Sequence, residues 1–156
     1  MEQVSTPNFA HECKIRDFYT GQFNEARPHE IIVKREATFD NWPLRADLRT
    51  VDRYQVLREW EFKICADYSS LGQILTYTAL MREQTNFEQV VRGVIAAFEI
   101  PPYLAKAILI NNLSVELVTL PKWMAQAGNI PLINQELPIV DVPFIPRITD
   151  AAQPTG

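Results

Sequence analysis

The stretch "VVRGVIAAFEI", residues 90–100, constrains the fold more than any other part of the chain. A strand with one wet face alternates apolar and polar residues, whereas a nearly continuous apolar run is typical of a strand covered on both faces. The chain must therefore supply packing for two faces of a sheet. With 156 residues and 47% hydrophobic composition, it is long enough to do so as one domain without disulfides or metal staples.

Three strands are predicted before this run. "HEIIVKREATF" is β-branched and is bounded by Pro28 and by "DNWP", which predicts a strand over about 29–39. "LRADLRTV" and "VLREWEFKIC" follow as two further strands, separated only by "DRYQ". Strands joined by such short connections predict an antiparallel meander.

The pattern then changes to alternating helices and strands. "ADYSSLGQILTYTALMREQ" offers N-cap candidates, Asp67, Ser69 and Ser70, before apolar residues at helical spacing, which predicts a helix over about 69–84. After the apolar run, "PPYLAKAILINN" predicts a helix with prolines in its first turn, and "LSVELVTL" a final strand. The order βββ-α-β-α-β predicts an α/β (α+β) fold, a mixed sheet flanked by helices.

We divide the chain into three parts. Residues 1–27 form an N-terminal segment with a possible short helix around "FAHECKIRDFY", residues 28–123 form the domain, and residues 124–156 form an extended, proline-rich tail. Five prolines in that tail oppose a helix and a central strand, yet Ile, Leu, Val and Phe persist between them. We expect about 128–150 to bind a protein partner or a second copy; packing on its own domain is the alternative.

Two cysteines, Cys13 and Cys65, stand in no metal-ligand spacing, which favours a reducing, intracellular setting. The first residues, "MEQVSTPNFAHECK", do not resemble a signal peptide, and no apolar run approaches membrane-spanning length. We therefore expect a soluble, cytoplasmic protein without a membrane partner; association with a virion is a further option.

The formal net charge is −4, which by itself argues against a nucleic-acid partner. The positive charges are distributed unevenly along the chain, because 12 of the 15 Lys and Arg residues lie in 1–92, and seven of them lie in 34–63. Among these seven, Arg45 and Arg49 are our candidates for contacts with DNA. A solvated sheet face with paired charges explains the same composition equally well.

The segment "WEFKIC" carries the candidate chemistry. Strand side chains alternate between faces, so Glu61 and Lys63 share the face opposite the core residues, and Asp47 on the preceding strand lies near them in chain order. Two converging carboxylates suit a hard divalent cation such as Mg²⁺. Taken alone, Glu-x-Lys is more typical of a surface ion pair. The core face of the segment is predicted to carry Trp60, Phe62 and Ile64.

The helix that follows reads Gly72-Gln73-x-x-x-Tyr77. An Asp, then Glu-x-Lys, then this helix and a β-α-β continuation resemble the PD-(D/E)xK, restriction-endonuclease-like nuclease superfamily, and most closely its RecB-like and archaeal NucS-like branches. The resemblance covers roughly residues 29–121. It implies a site in which Asp47 and Glu61 hold Mg²⁺ or Mn²⁺ and are catalytic together with Lys63 and Gln73.

The same resemblance assigns further roles and leaves two positions open. It implies that Lys63 positions the attacking water or stabilises charge on the phosphate, and that Tyr77 contacts substrate. Ala46 replaces the proline that names the superfamily. The upstream acidic or histidine residue of such sites has no clear match, since His11, Glu12 and Glu30 are all candidates; we favour Glu12. For each of these three a surface role is the favoured interpretation, and Glu12 is our choice if one of them completes the site.

The resemblance implies a metal-dependent DNA nuclease that hydrolyses phosphodiester bonds, alone, as an oligomer, or within a larger complex. The alternative is a nuclease-like but non-catalytic assembly component of a phage particle or mobile-element complex, because fold resemblance does not settle function. The acidic balance and the hydrophobic tail favour that alternative, whereas the intact Asp47, Glu61 and Lys63 oppose it.

Overall fold

The computed structural model describes residues 7–130, with side chains from residue 10 onward. The predicted partner-binding segment at about 128–150 therefore lies almost entirely outside the described residues. One five-stranded sheet, in the order β1-β2-β3-β4-β5, forms the centre. Its strands are β1 (Glu30–Phe39), β2 (Trp42–Asp52), β3 (Leu57–Cys65), β4 (Val91–Glu99) and β5 (Val115–Thr119).

Helices cover the sheet. Between residues 7 and 130, none of them is both long and apolar enough to cross a bilayer. The helices are α1 (Pro7–Gly21), α2 (Phe23–Ala26), α3 (Tyr68–Gln84), α4 (Pro102–Ile110) and α5 (Lys122–Ala127).

The sheet is mixed, as the order of elements predicted. β1 pairs with β2 and β2 with β3 in antiparallel fashion, whereas β3, β4 and β5 run parallel and are joined through α3 and α4. All nine residues of β4 are buried. The nearly continuous apolar run therefore marks the strand that is covered on both faces, and the predicted α/β fold is confirmed.

Two hydrophobic clusters lie on opposite faces of the sheet. Residues of α3 and α4, including Ile74 and Leu104, pack on one face. On the other face, Trp60 and Phe62 of β3 stack at 5.8 Å, and Tyr19 of α1 lies 5.6 Å from Trp60. The predicted core face of "WEFKIC" is confirmed.

The separate N-terminal segment predicted over 1–27 is wrong. The helix predicted as short runs over Pro7–Gly21, and its residues Ile15 and Tyr19 are buried in the second cluster. Phe23 of α2 joins them. Because these side chains fill the face that β3 presents, α1 and α2 belong to the domain.

The boundary predicted at residue 123 is wrong too. It falls inside α5, which begins after Pro121 and buries Met124 and Ala125. Ile130 is buried in the same cluster. The five prolines of the predicted tail begin only at Pro131, so nothing in their distribution prevents a short helix at Lys122–Ala127. The domain therefore continues to at least residue 130.

The start of α3 is fixed by side chains at its first turn. Asp67 accepts a hydrogen bond from the Ser70 amide at 2.7 Å, and the Ser70 hydroxyl oxygen accepts one from the Asp67 amide at 2.8 Å. This reciprocal capping satisfies two amides that the helix leaves unpaired. The N-cap prediction is confirmed, and α3 begins shortly after the end of β3.

Gly93 of β4 lets α3 approach the sheet closely. A Cβ at Gly93 would stand 2.1 Å from Cγ2 of Ile74 on α3, whereas a Cβ at Gly72 would meet nothing within 4 Å. We expect Gly93→Ala to lower the free energy of unfolding by about 1–3 kcal/mol through overpacking. The matched control Gly72→Ala should raise it by up to about 1 kcal/mol, because alanine favours a helix interior. Urea unfolding measures both, and an unaffected Gly93→Ala would contradict this packing.

Candidate active site

β2 and β3 separate halfway along their length. β2 pairs with β1 over most of its length but with β3 only from Leu48 opposite Trp60 to Val51 opposite Leu57. Continuing this register by one residue sets Asp47 opposite Glu61. Asp47 Oδ2 accepts a hydrogen bond from the Phe62 amide at 2.8 Å, so a side chain takes the place that a ladder carbonyl would otherwise fill.

Lys63 stands among carboxylates at this point. Its Nζ lies 3.6 Å from Glu61 Oε1 and 3.8 Å from Oε1 of Glu12, which comes from α1. The side chains of Lys63 and Glu12 are each 19% exposed and that of Glu61 is 7% exposed. Three sequence-predicted residues, Asp47, Glu61 and Lys63, are therefore brought together, with Glu12 as a fourth.

The face that carries Glu61 and Lys63 is covered and is not an open surface. The α3 helix follows β3 directly and packs back on this face with Ile74 and Tyr77, so Glu61 is buried and Lys63 half-buried. A solvated surface ion pair therefore does not describe Glu61 and Lys63.

Burial and crowding shift the pKa values of the three carboxyl groups. Burial, followed by the charge of Asp47, raises the pKa of Glu61 to about 9, although Lys63 opposes this rise. Burial likewise raises the pKa of Asp47 and of Glu12, with Lys63 opposing in both cases. Glu61 Oε2 is buried without a hydrogen-bond partner. Lys63, together with Arg16 near Asp47, does not offset these rises in pKa, which is the situation that a bound cation would relieve.

The described residues contain no group of three or more His, Cys, Asp or Glu side chains arranged to hold a metal ion. Asp47 and Glu61 form a carboxylate pair. Such a pair is nevertheless sufficient for Mg²⁺, which keeps several waters and takes one or two carboxylates together with substrate phosphates.

Gln73 and Tyr77 occupy one side of α3, four residues apart. Gln73 Oε1 is buried with no hydrogen-bond partner. The ring of Tyr77 stacks on Phe39 with centroids 5.5 Å apart. The pKa of Tyr77 is raised first by burial and then by the charges of Glu61 and Asp47, so its phenol lies within electrostatic reach of the site.

The two arginines predicted to bind substrate lie in different environments. Arg49 is buried, donates to Glu59 Oε1 at 2.6 Å and to the Thr38 carbonyl at 3.1 Å, and lies over the Phe39 ring. Its prediction as a DNA contact is wrong, because its guanidinium is used inside the protein. Arg45 is exposed, and its charge opposes the rise in the pKa of Tyr77. A DNA contact through Arg45 stays a prediction.

The three candidates for the upstream site residue also lie in different places. Glu12 lies at the site, as favoured, whereas Glu30 accepts from Thr50 Oγ1 at 2.8 Å and pairs with Arg27 near the start of the sheet. The buried Nδ1 of His11 has no hydrogen-bond partner. A surface role is therefore wrong for Glu30, and Glu12 is only partly exposed.

Arg16 is a site residue that the sequence analysis missed. Its charge lowers the pKa of Asp47 against the effect of burial, and it pairs with Glu36 at 3.4 Å. Arg16 stands four residues after Glu12 on α1, so both share one helix side. That spacing is the signal that could have identified Arg16 once Glu12 was favoured.

No protein-family model and no curated protein sequence matches this chain. Among solved structures, a repair endonuclease from Pyrococcus abyssi matches with a TM-score of 0.60 and 17% identity, over 77% of this chain and 49% of that one. EndoMS in complex with double-stranded DNA matches with a TM-score of 0.57 and 17% identity, over 78% of this chain and 48% of that one. EndoMS in apo form matches with a TM-score of 0.55 and 18% identity, over 78% of this chain and 49% of that one.

These similarities establish a fold shared with repair endonucleases. The chain spans about half the length of each of these structures.

The crowding of carboxylates at Glu61 predicts a stabilising substitution. A folded-state pKa of about 9 against an ordinary 4.5 means that folding binds a proton between these values, so stability falls as pH rises through this interval. Glu61→Gln cannot ionise. In EDTA at pH 8.5 we expect it to be more stable than the original chain by at least about 1 kcal/mol, with the gain shrinking toward pH 5.

Urea unfolding at the two pH values measures this difference. Glu25→Gln on α2 is the matched control, because Glu25 is exposed, and its stability should not change. A Glu61→Gln variant that is less stable at pH 8.5 than at pH 5, relative to the original chain, would contradict the crowding.

Proposed function

We propose that this protein is a divalent-metal-dependent DNA nuclease that hydrolyses phosphodiester bonds. The observation that carries the proposal is the convergence of Asp47, Glu61 and Lys63 where β2 leaves β3, with α3 placed over them. The fold is shared with repair endonucleases, which supports the same reaction class. The protein acts alone, as an oligomer, or within a larger complex.

The residues present fit Mg²⁺ or Mn²⁺. Asp47 and Glu61 offer carboxylate oxygens from adjacent strands, and Glu61 Oε2 is buried without a donor. The raised pKa values of Glu12, Asp47 and Glu61 point to missing positive charge. A cation bound there would polarise a phosphate oxygen and favour the ionised form of an attacking water.

The chain's own residues account for the remaining tasks of hydrolysis. Water adds to phosphorus and loses one proton to solvent, the bond from phosphorus to the leaving oxygen breaks, and the leaving oxygen takes up one proton from solvent. Lys63 is placed to donate hydrogen bonds to the attacking water or to the phosphate as negative charge develops. Glu12 and Glu61 hold its ammonium group in position.

Gln73 and Tyr77 are assigned to substrate. Gln73 Oε1 is a buried acceptor with no partner, and a water molecule or a nucleotide donor would satisfy it. Burial, followed by the charges of Glu61 and Asp47, raises the pKa of Tyr77, so its protonated hydroxyl is available as a donor to a phosphate oxygen.

Lys63→Met tests the catalytic assignment, because methionine keeps the length of the side chain and removes the charge. We expect cleavage of linear or single-stranded DNA in Mg²⁺ to fall by at least about 100-fold, the range seen when one stabilising donor is lost from a catalytic site. Gel assays of initial rates measure it. Lys122→Met on α5 is the control, since Lys122 is exposed, and should cleave normally. Normal cleavage by Lys63→Met would move the chemistry elsewhere.

The metal assignment has a readout that does not depend on cleavage. Addition of Mg²⁺ or Mn²⁺ should raise the melting temperature of the original chain, because a ligand that binds only the folded state stabilises it. Asp47→Asn and Glu61→Gln should each lose most of that rise, whereas Glu25→Gln should keep it. An equal rise in all four proteins would place the cation outside the proposed site.

A non-catalytic, nuclease-like assembly component is the second candidate. Its support is the depth of the carboxylate pair and the lack, among the described residues, of a third metal-binding side chain grouped with it. No cleavage by the original chain across linear, circular, branched and single-stranded DNA with either cation would favour this candidate over the nuclease.

A further inference from the structure

A buried arginine and a buried glutamate face each other next to the point where β2 and β3 part. Arg49 is in register with Glu59 and donates a hydrogen bond to its Oε1 at 2.6 Å. The two residues are 8% and 0% exposed, and Glu59 Oε2 has no hydrogen-bond partner. Desolvation offsets much of the attraction in such a pair, so net stability is a weak explanation for it. The proposed hydrolysis uses neither residue.

Arg49 also contacts the β1–β2 hairpin where the β2–β3 ladder has already ended. Its Nη2 donates to the Thr38 carbonyl at 3.1 Å, and its guanidinium carbon lies 5.2 Å from the centre of the Phe39 ring. Thr38 and Phe39 flank a register shift in the β1–β2 ladder. Arg49 therefore joins an irregular part of the hairpin to Glu59 of β3.

Phe39 carries this connection on to α3. Its ring stacks on that of Tyr77, with centroids 5.5 Å apart and planes inclined at 23°, and both residues are 6% exposed. The tip of the hairpin contacts the same helix, because the Asp40 amide donates to Gln84 Oε1 at 2.9 Å. A ring packed on a fixed neighbour keeps its hydroxyl in one place.

The phenol of Tyr77 lies within electrostatic reach of both the ion pair and the proposed site. The pKa of Tyr77 is raised first by burial, then by the charges of Glu61 and Asp47, and also by that of Glu59. Glu59 and Glu61 stand two residues apart on one face of β3. The ion pair is therefore next to the site without being one of its reacting groups.

We propose that Arg49 and Phe39 are positioning residues for the hydroxyl of Tyr77. Glu59 holds the guanidinium of Arg49, Arg49 holds Phe39, and the Phe39 ring sets the place of the Tyr77 ring. This inference rests on the proposed nuclease function, in which the Tyr77 hydroxyl donates to a phosphate oxygen. Arg49, Glu59 and Phe39 act through that hydroxyl and are not catalytic residues.

A double-mutant cycle separates positioning from a structural role. Phe39→Leu keeps an apolar side chain and removes the ring, and we expect kcat for DNA cleavage in Mg²⁺ to fall by about tenfold, because a displacement of about 1 Å can cost up to about 100-fold. In a Tyr77→Phe background, which lacks the hydroxyl, the same change should have little further effect. Phe23→Leu removes a buried ring from the cluster on the opposite face and is the matched control, with normal cleavage expected.

The ion pair is tested by removing both of its charges. Arg49→Ala alone would leave a buried carboxylate unpaired and would test folding instead. Arg49→Met/Glu59→Leu leaves no such charge, so this variant should fold. Its kcat should fall by about tenfold in the original background and stay level in the Tyr77→Phe background.

A further measurement does not need cleavage. Tyrosine labelled with ¹³C at Cζ gives one NMR signal for each tyrosine, and the signal of Tyr77 is identified by its loss in Tyr77→Phe. We expect one narrow Tyr77 signal in the original chain and a broadened or split signal in Arg49→Met/Glu59→Leu, because the ring is then held less firmly.

The outcomes separate the two proposals. Equal losses of kcat with and without the Tyr77 hydroxyl, or no loss in either variant, would overturn positioning and leave the nuclease proposal intact. If the original chain cleaves no DNA, the nuclease proposal fails, and an unchanged Tyr77 signal in the double variant would overturn positioning as well. A disturbed Tyr77 signal in that case would support positioning and refute only cleavage.

Discussion

The hydrogen bond from the Phe62 amide to Asp47 Oδ2 is the interaction on which the site depends. It closes the β2–β3 ladder with a side chain at the point where the two strands part, so the Phe62 amide is paired there. Beyond that point β3 has no β2 neighbour in the ladder, and Glu12 from α1 reaches Lys63. The site thus forms because β2 and β3 part, and the strand register sets the positions of its carboxylates.

A second polar interaction lies toward the opposite end of the sheet and maintains alignment there. Glu116 of β5 accepts hydrogen bonds from Arg58 of β3 at 3.0 Å and from Arg27 at 3.0 Å, and Arg58 also donates to Asp52 at 2.7 Å. These groups are largely buried, so their desolvation offsets much of their attraction. Their geometry ties β2, β3 and β5 together where the strands are paired, while the other end of the sheet is free to diverge. Glu30, once a site candidate, belongs to this group.

Much of the architecture follows from the sequence, because strand and helix patterns are local properties. The unbroken apolar run of β4, the short connection before β3 and the caps at Asp67 and Ser70 predicted the mixed sheet. Side-chain alternation set Glu61 and Lys63 on one face. Alternation does not show whether that face is exposed to solvent. Its exposure is decided by how α3 packs on it, and for this reason the burial of Glu61 was not predicted.

Long-range pairing explains the remaining differences. Arg49 looked available for DNA because its partner Glu59 is ten residues away on another strand, and only the β2–β3 register brings them within 2.6 Å. The sequence could favour Glu12 over Glu30 but could not place either of them, since their separation across the sheet depends on where α1 docks. The role of α1 itself was underestimated, because its core residues Ile15 and Tyr19 find their partners on β3.

We propose that Asp47 and Glu61 together bind a divalent cation where β2 leaves β3. Anomalous diffraction from a crystal soaked in Mn²⁺ tests this proposal. We expect one strong anomalous peak within bonding distance of a carboxylate oxygen of Asp47 and of Glu61, with Lys63 Nζ outside the coordination sphere. Ordered Asp47 and Glu61 side chains with no peak between them at saturating Mn²⁺ would contradict it.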